Sequence, residues 1–127
     1  MAVKGELRRG DCVFVQNDNA VGYEIKKSRH AVVVSNPVVC MTSKALQVVY
    51  ISKNPKRDMP CHVRLDDGRT VLCEQIATVD LSRLEWTGPR LSRHEMCAIN
   101  AALKRQLMLD AEHEWRLDRR VQKKVSV

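Results

Sequence analysis

Apolar and polar positions change their period once along this chain. Before about residue 80 the apolar residues come in short runs bounded by turn formers; after residue 92 they recur at helical steps. Asp11 to Gln16 (DCVFVQ), entered through Arg9-Gly10, is rich in β-formers and predicts a short strand. Residues 30–35 (HAVVVS) form a nearly continuous apolar run, as a central strand buried on both faces requires. Asn36-Pro37 ends it, since proline has no N–H for a ladder. Ala45 to Ser52 predicts another strand. Cys61 to Leu65 and Thr70 to Cys73 flank Asp66-Asp67-Gly68-Arg69, where Asp-Gly signals a hairpin turn, and Gln75 to Val79 reads as a further short strand. Gln16 to Gly22 and Lys53 to Pro60 read as polar loops. Such strands predict a small antiparallel sheet or barrel over about residues 8–80. Ser92-Arg-His-Glu95 then has the form of a capping box. Met96, Ile99, Leu103 and Leu107 follow at three- and four-residue steps, predicting an amphipathic helix whose apolar stripe packs on the sheet. No glycine or proline follows Pro89, so the helical region is expected to run from about 92 to 122, past Trp115.

Composition narrows the function. With 127 residues the chain is expected to form one domain, and 44% hydrophobic with 29% charged residues is a globular composition. Aromatics at 4% argue against a surface that grips single strands by stacking on many rings. The runs Ala31 to Val34 and Val48 to Ile51 are too short to span a bilayer, and the first nine residues lack the apolar stretch of a secretory signal. Cysteines 12, 40, 61, 73 and 97 are odd in number and lack CxxC spacing, so reduced, mostly buried thiols in a cytoplasmic protein are expected. The net charge of +7 favours a polyanionic partner, nucleic acid or an acidic peptide. The excess is spread along the chain, so a basic site must be assembled by folding. Histidines 30, 62, 94 and 113 and the cysteines show no paired zinc spacing and no HExxH, and no glycine-rich phosphate loop occurs. No metal centre and no cofactor are expected.

Five motifs occur in order: Arg9-Gly-Asp11; Val21-Gly-Tyr-Glu24; Ser28-Arg29 leading into the apolar run that ends at Asn36; Pro60-x-His62-Val63; and Val71-Leu-x-Glu-Gln75-Ile-x-Thr78-Val-Asp80, ahead of the Leu91 to Met96 helix start. Over residues 8 to about 108 the chain thereby resembles the MazF/PemK family of toxin endoribonucleases. The resemblance implies a Src-homology-3-like small β-barrel, a helical C-terminus and a homodimer. It also implies metal-independent cleavage of single-stranded RNA at short sequences, and inhibition by a cognate antitoxin with a flexible acidic segment.

RNA carries its own nucleophile, the 2′-hydroxyl. A ribonuclease without metal must accept that proton, stabilise the phosphorane charge and help the 5′-oxygen leave. By alignment with the family, Arg29 is the expected catalytic cation, its guanidinium fork matching two phosphate oxygens. Ser52 stands where the family commonly has threonine and supplies a hydroxyl. Glu24, Gln75, Thr78 and His62 are the expected RNA-binding or supporting residues; Glu24 orients Arg29 or meets a base edge, Gln75 offers an amide, and His62 has a pKa suited to proton transfer. Three departures stand out: His30 replaces the family's proline, Ala77 stands where many members carry a basic residue, and residues 110–127 extend past the usual end. The competing expectation is a non-catalytic module on the same barrel that holds RNA or an antitoxin, or poisons a protein target as the gyrase-poison toxins do.

Overall fold

Two strands run through the middle of the molecule with apolar residues on both faces. The computed structural model describes residues 2–16, 29–55 and 57–109. Within them lie β1 (Asp11–Val15), β2 (Arg29–Val33), α1 (Pro37–Thr42), β3 (Ala45–Ser52), β4 (His62–Arg64), β5 (Thr70–Asp80), a 3-10 turn (Leu81–Arg83), β6 (Leu84–Arg90) and α2 (Arg93–Leu107). The strands form one six-stranded sheet in the order β4-β5-β3-β2-β1-β6, every neighbouring pair antiparallel. The order leaves β4 and β6 unjoined, so the small barrel is not closed by hydrogen bonds.

Successive side chains of a strand point to opposite faces, and β2 and β3 fill both. Ala31, Val33, Leu46, Val48 and Tyr50 join one core with Leu7, Val13, Val15, Cys40, Val79 and Leu84. Val32, Val49 and Ile51 join a second with Val63, Leu65, Val71, Cys73, Ile99 and Ala102. Helix α1 covers the first core through Cys40 and Val39, and α2 covers the second through Ile99, Ala102, Met96 and Leu103. The predicted stripe on α2 packs as expected except at Leu107, which is exposed. Cys12, Cys40, Cys61 and Cys73 are buried free thiols, and Cys97 is exposed.

The Arg9-Gly10-Asp11 motif is a strut. Arg9 donates to the Val34 carbonyl and to Asn100 Oδ1 on α2. Buried Asp11 accepts from the Arg8 N–H at 2.8 Å and pairs with Arg90 Nε at 2.7 Å. Gly10 has φ +96°, a left-handed conformation that side chains disfavour, and its N–H and carbonyl bond Val33 and Leu91.

Four local features differ from expectation. The two strands predicted over 70–79 are one strand, β5, whose register against β3 shifts at Val49/Tyr50; Val49 faces Ile76 and Tyr50 faces Leu72, so residues 73–75 bulge out. Asn36-Pro37 not only ends β2 but starts α1: the Asn36 side chain accepts the Val39 N–H, and Pro37 is the first helical residue. β6 (LEWTGPR) is a strand despite Gly88 and Pro89, tolerated because it is an edge. Helix α2 stops at Leu107 instead of continuing, because Met108 takes a left-handed cap at φ +57° and the Leu109 N–H returns to the Lys104 carbonyl. The remainder of the expected helical region, from 110 onward, lies outside the described residues, as does most of the Gln16 to Gly22 loop. Among the described residues no helix is long and apolar enough to cross a membrane.

Candidate functional site

Arg29 opens β2 and Ser52 closes β3. The strands pair Ala31 with Tyr50, Val32 with Val49 and Val33 with Val48. Continued by two residues, that register sets Arg29 opposite Ser52, and directly opposed residues share a face. Both line an open cleft of about 360 Å³ at the strand ends, with Phe14, His30, Ile51, Lys53 and Asn54. Ser52 is only 7% exposed. Arg29 is half-buried, and its Nε is shielded from solvent with no hydrogen-bond partner among the described residues. A buried guanidinium N–H without an acceptor is costly, so this atom is poised for one supplied from outside.

The rings of Phe14 and His30 meet edge to face across β1 and β2, with centroids 5.5 Å apart and planes at 71°. His30, in the position of the family's proline, thus contributes to the cleft wall. Phe14 was not singled out in the sequence. The available signal was alternation: as the chain's one phenylalanine it sits between Val13 and Val15, which are fully buried, and must face the other way.

A second cleft of about 410 Å³ adjoins the first through Lys53 and Asn54, lined also by Pro55, Arg57, Asp58, His62, Arg64, Gly68 and Thr70. Ser52 pairs with Thr70, and Thr70 with Arg64. Ser52, Thr70 and Arg64 therefore make a polar row across three strands, and with Arg29 beside Ser52 in the first cleft the row joins the clefts. Lys53, Arg57 and Arg64 against Asp58 give the second cleft a positive field. The hairpin turn beside it is braced by Asp67, which accepts from the Arg69 backbone N–H and pairs with its guanidinium at 2.8 Å. Those contacts, the backbone bond foremost, hold the Asp67 carboxyl below its usual pKa.

The structure does not bring every expected residue here. His62 opens β4 and lines the second cleft, not the first; its Nε2 lies 2.9 Å from Glu74 Oε2, and its ring is turned inward at 6% exposure. Gln75 sits in the β5 bulge and lines neither cleft. Thr78 accepts from Gln47 Nε2 at 3.2 Å, and Gln47 Oε1 in turn accepts from Ser35 at 2.6 Å, so Thr78 belongs to a polar ladder across β3 and β5. Ala77 packs against the first core. Glu24 lies outside the described residues. The buried thiols are not nucleophiles at neutral pH: burial pushes Cys12 up and Cys73 up to about 12.

Comparison with known proteins agrees with this architecture. Residues 8–107 match the sequence profile described as PemK-like, MazF-like toxin of type II toxin-antitoxin system. No curated protein shows significant sequence similarity to the chain. Among solved structures, MazF from Deinococcus radiodurans superposes with TM-score 0.69 at 20% identity, covering 79% of this chain and 94% of that one. A mycobacterial endoribonuclease solved in complex with its cognate antitoxin gives TM-score 0.65 at 22% identity, covering 80% and 94%. The Mycobacterium tuberculosis toxin MazF-mt6 gives 0.64 at 17% identity, covering 79% and 98%. At these identities the structures establish the fold, and the profile match over most of the chain establishes the kinship: the chain belongs to the PemK/MazF family of toxins of type II toxin-antitoxin systems.

Proposed function

We propose that this toxin is an endoribonuclease that cuts single-stranded RNA, messenger RNA included, by attack of the substrate's own 2′-hydroxyl, without a metal. The observation that carries the reading is the shielded Arg29 Nε, without a partner among the described residues, in the same cleft as Ser52. In the reaction the 2′-oxygen bonds to phosphorus and the bond to the 5′-oxygen breaks. The 2′-proton leaves, and a proton reaches the 5′-oxygen. Arg29 neutralises the charge that grows on the non-bridging oxygens, and Ser52 donates a hydrogen bond to the phosphate or relays the proton. The Phe14 and His30 rings offer a surface for an unstacked base. The polar row to Arg64 and the basic second cleft give the strand a path past His62.

The same reading makes the functional unit a homodimer whose groove is blocked by an antitoxin with an acidic flexible segment. Its support is the family, the existence of MazE-MazF complexes among the solved structures, and the charge of +7. The test is incubation with long single-stranded RNA in EDTA, followed by mapping of new ends. Products should carry 5′-hydroxyl and 2′,3′-cyclic phosphate ends, and a 2′-deoxy substitution at the cut site should abolish cutting. Activity lost in EDTA and restored by Mg²⁺ would overturn the metal-free mechanism.

A further inference from the structure

We propose that Cys61, His62 and Glu74 form a binding site for a zinc-class divalent cation behind the second cleft, which His62 lines. One ligand atom from each of the three lies within 4.8 Å of the other two. Glu74 spans the group: its Oε2 is 2.9 Å from His62 Nε2, and its Oε1 is 3.7 Å from Cys61 Sγ. A tetrahedral ion with bonds of roughly 2.0–2.3 Å wants its ligands roughly 3.3–3.7 Å apart, so side-chain movements of about an ångström close the site.

Two backbone features bring these residues together. Neighbouring residues of an extended strand point to opposite faces, which would part Cys61 from His62. Here they lie where a turn enters β4, closed by the His62 N–H on the Met59 carbonyl at 2.9 Å. Glu74 lies in the β5 bulge, and bulges re-aim side chains. The adjoining Cys73 N–H bonds the Cys61 carbonyl at 3.3 Å, holding the turn to the bulge.

His62 Nε2 and Glu74 Oε2, 2.9 Å apart, share one proton in the metal-free cluster. A cation between Nε2, Sγ and the carboxylate replaces that shared proton and displaces the thiol proton to solvent. The donor set of one thiolate, one imidazole and one carboxylate selects zinc-class ions over Mg²⁺ or Ca²⁺. Three protein ligands leave a fourth position open. Bound there, the ion ties the Lys53 to Pro60 loop, which ends at this turn, to the sheet. The ion takes no part in the cleavage chemistry, so the site stands apart from the ribonuclease reading.

Binding is read on the reduced, metal-free full chain in the absence of RNA. Co²⁺ should produce a thiolate-to-cobalt charge-transfer absorption saturating at one ion per chain, and Zn²⁺ should abolish it by displacement. Zn²⁺ in hundredfold excess over its Kd should raise Tm by roughly 5–15 °C, and Mg²⁺ should not. Cys61→Ser and Glu74→Gln should each lose the absorption, while Cys97→Ser, which removes the exposed thiol, should keep it. Glu74 is half-buried and outside both cores, so a folded Glu74→Gln decides the matter if Cys61→Ser fails to fold. No charge-transfer band in the unaltered protein, or a band that survives in folded Glu74→Gln, overturns the site. Either result leaves RNA cleavage in EDTA as a separate question.

Discussion

Arg29 and Ser52 line one cleft at strand ends, yet they should respond differently to removal. On the proposed mechanism Arg29→Ala deletes the charge that would stabilise the phosphorane, so kcat should fall roughly 10²–10³-fold, about 3–4 kcal/mol, in a protein whose circular dichroism is unchanged. Near-normal cleavage by that folded variant would exclude Arg29 from the mechanism. Ser52→Ala should cost less, because water can stand in for a hydroxyl. Both residues were legible only through the family's motif order; by itself an arginine before an apolar run is a surface residue. Phe14 was missed, although its place between the buried Val13 and Val15 carried the signal. The pairing of Cys61 and His62 with Glu74 was not legible, because it joins positions twelve and thirteen apart across a hairpin whose bulge has no local signature.

Elements were legible where a local rule set them and illegible where two rules competed. The capping box of α2 forms as read: Ser92 Oγ accepts the Glu95 N–H at 3.1 Å, and Glu95 accepts the Ser92 N–H at 3.0 Å. What the sequence concealed is that Glu95 also accepts the Asp66 N–H at 3.0 Å, fastening the helix to the β4–β5 hairpin. These bonds, that from Asp66 first, hold the Glu95 carboxyl below its ordinary value of 4.5. The stabilisation is therefore complete above that value and is lost as pH falls through the lowered folded one. Glu95→Ala should cost about 1–2 kcal/mol at pH 7, read as a lower urea midpoint at unchanged slope, and the gap from the parent should shrink below about pH 4. A gap independent of pH would contradict that role. At the other end of the motif order, Gly10→Ala should destabilise by about 1–3 kcal/mol, since φ +96° is strained for alanine. The missed α1 and β6 show the competition: Asn-Pro reads equally as a strand stop and a helix start, and Gly-Pro hides an edge strand.

At the scale of the whole molecule, the sequence signalled a small antiparallel β fold with a terminal helix, but not the strand order, because periodicity says nothing about partners. It also signalled a polyanion without saying where one would lie. Three of the basic residues, Lys53, Arg57 and Arg64, line a cleft beside that of Arg29. RNA affinity should accordingly weaken steeply with salt. An acidic antitoxin peptide should raise the apparent KM for RNA without lowering kcat; pure loss of kcat at constant KM would place that peptide elsewhere. Light scattering should report a dimer at micromolar concentration, and a fully active monomer would defeat the homodimer reading.

The two central strands also predict how the protein breathes. β2 and β3 have paired edges on both sides and a packed core against each face, so their amide protons should exchange only when the whole domain unfolds. β4 and β6, with one free edge each, should exchange earlier through partial opening. Arg29 and Ser52 are carried on the ends of the strands that open last. Local opening of the hairpin carrying His62, or of the β6 edge, would then leave the two on their strand ends, and the cleft would persist for as long as any native core does.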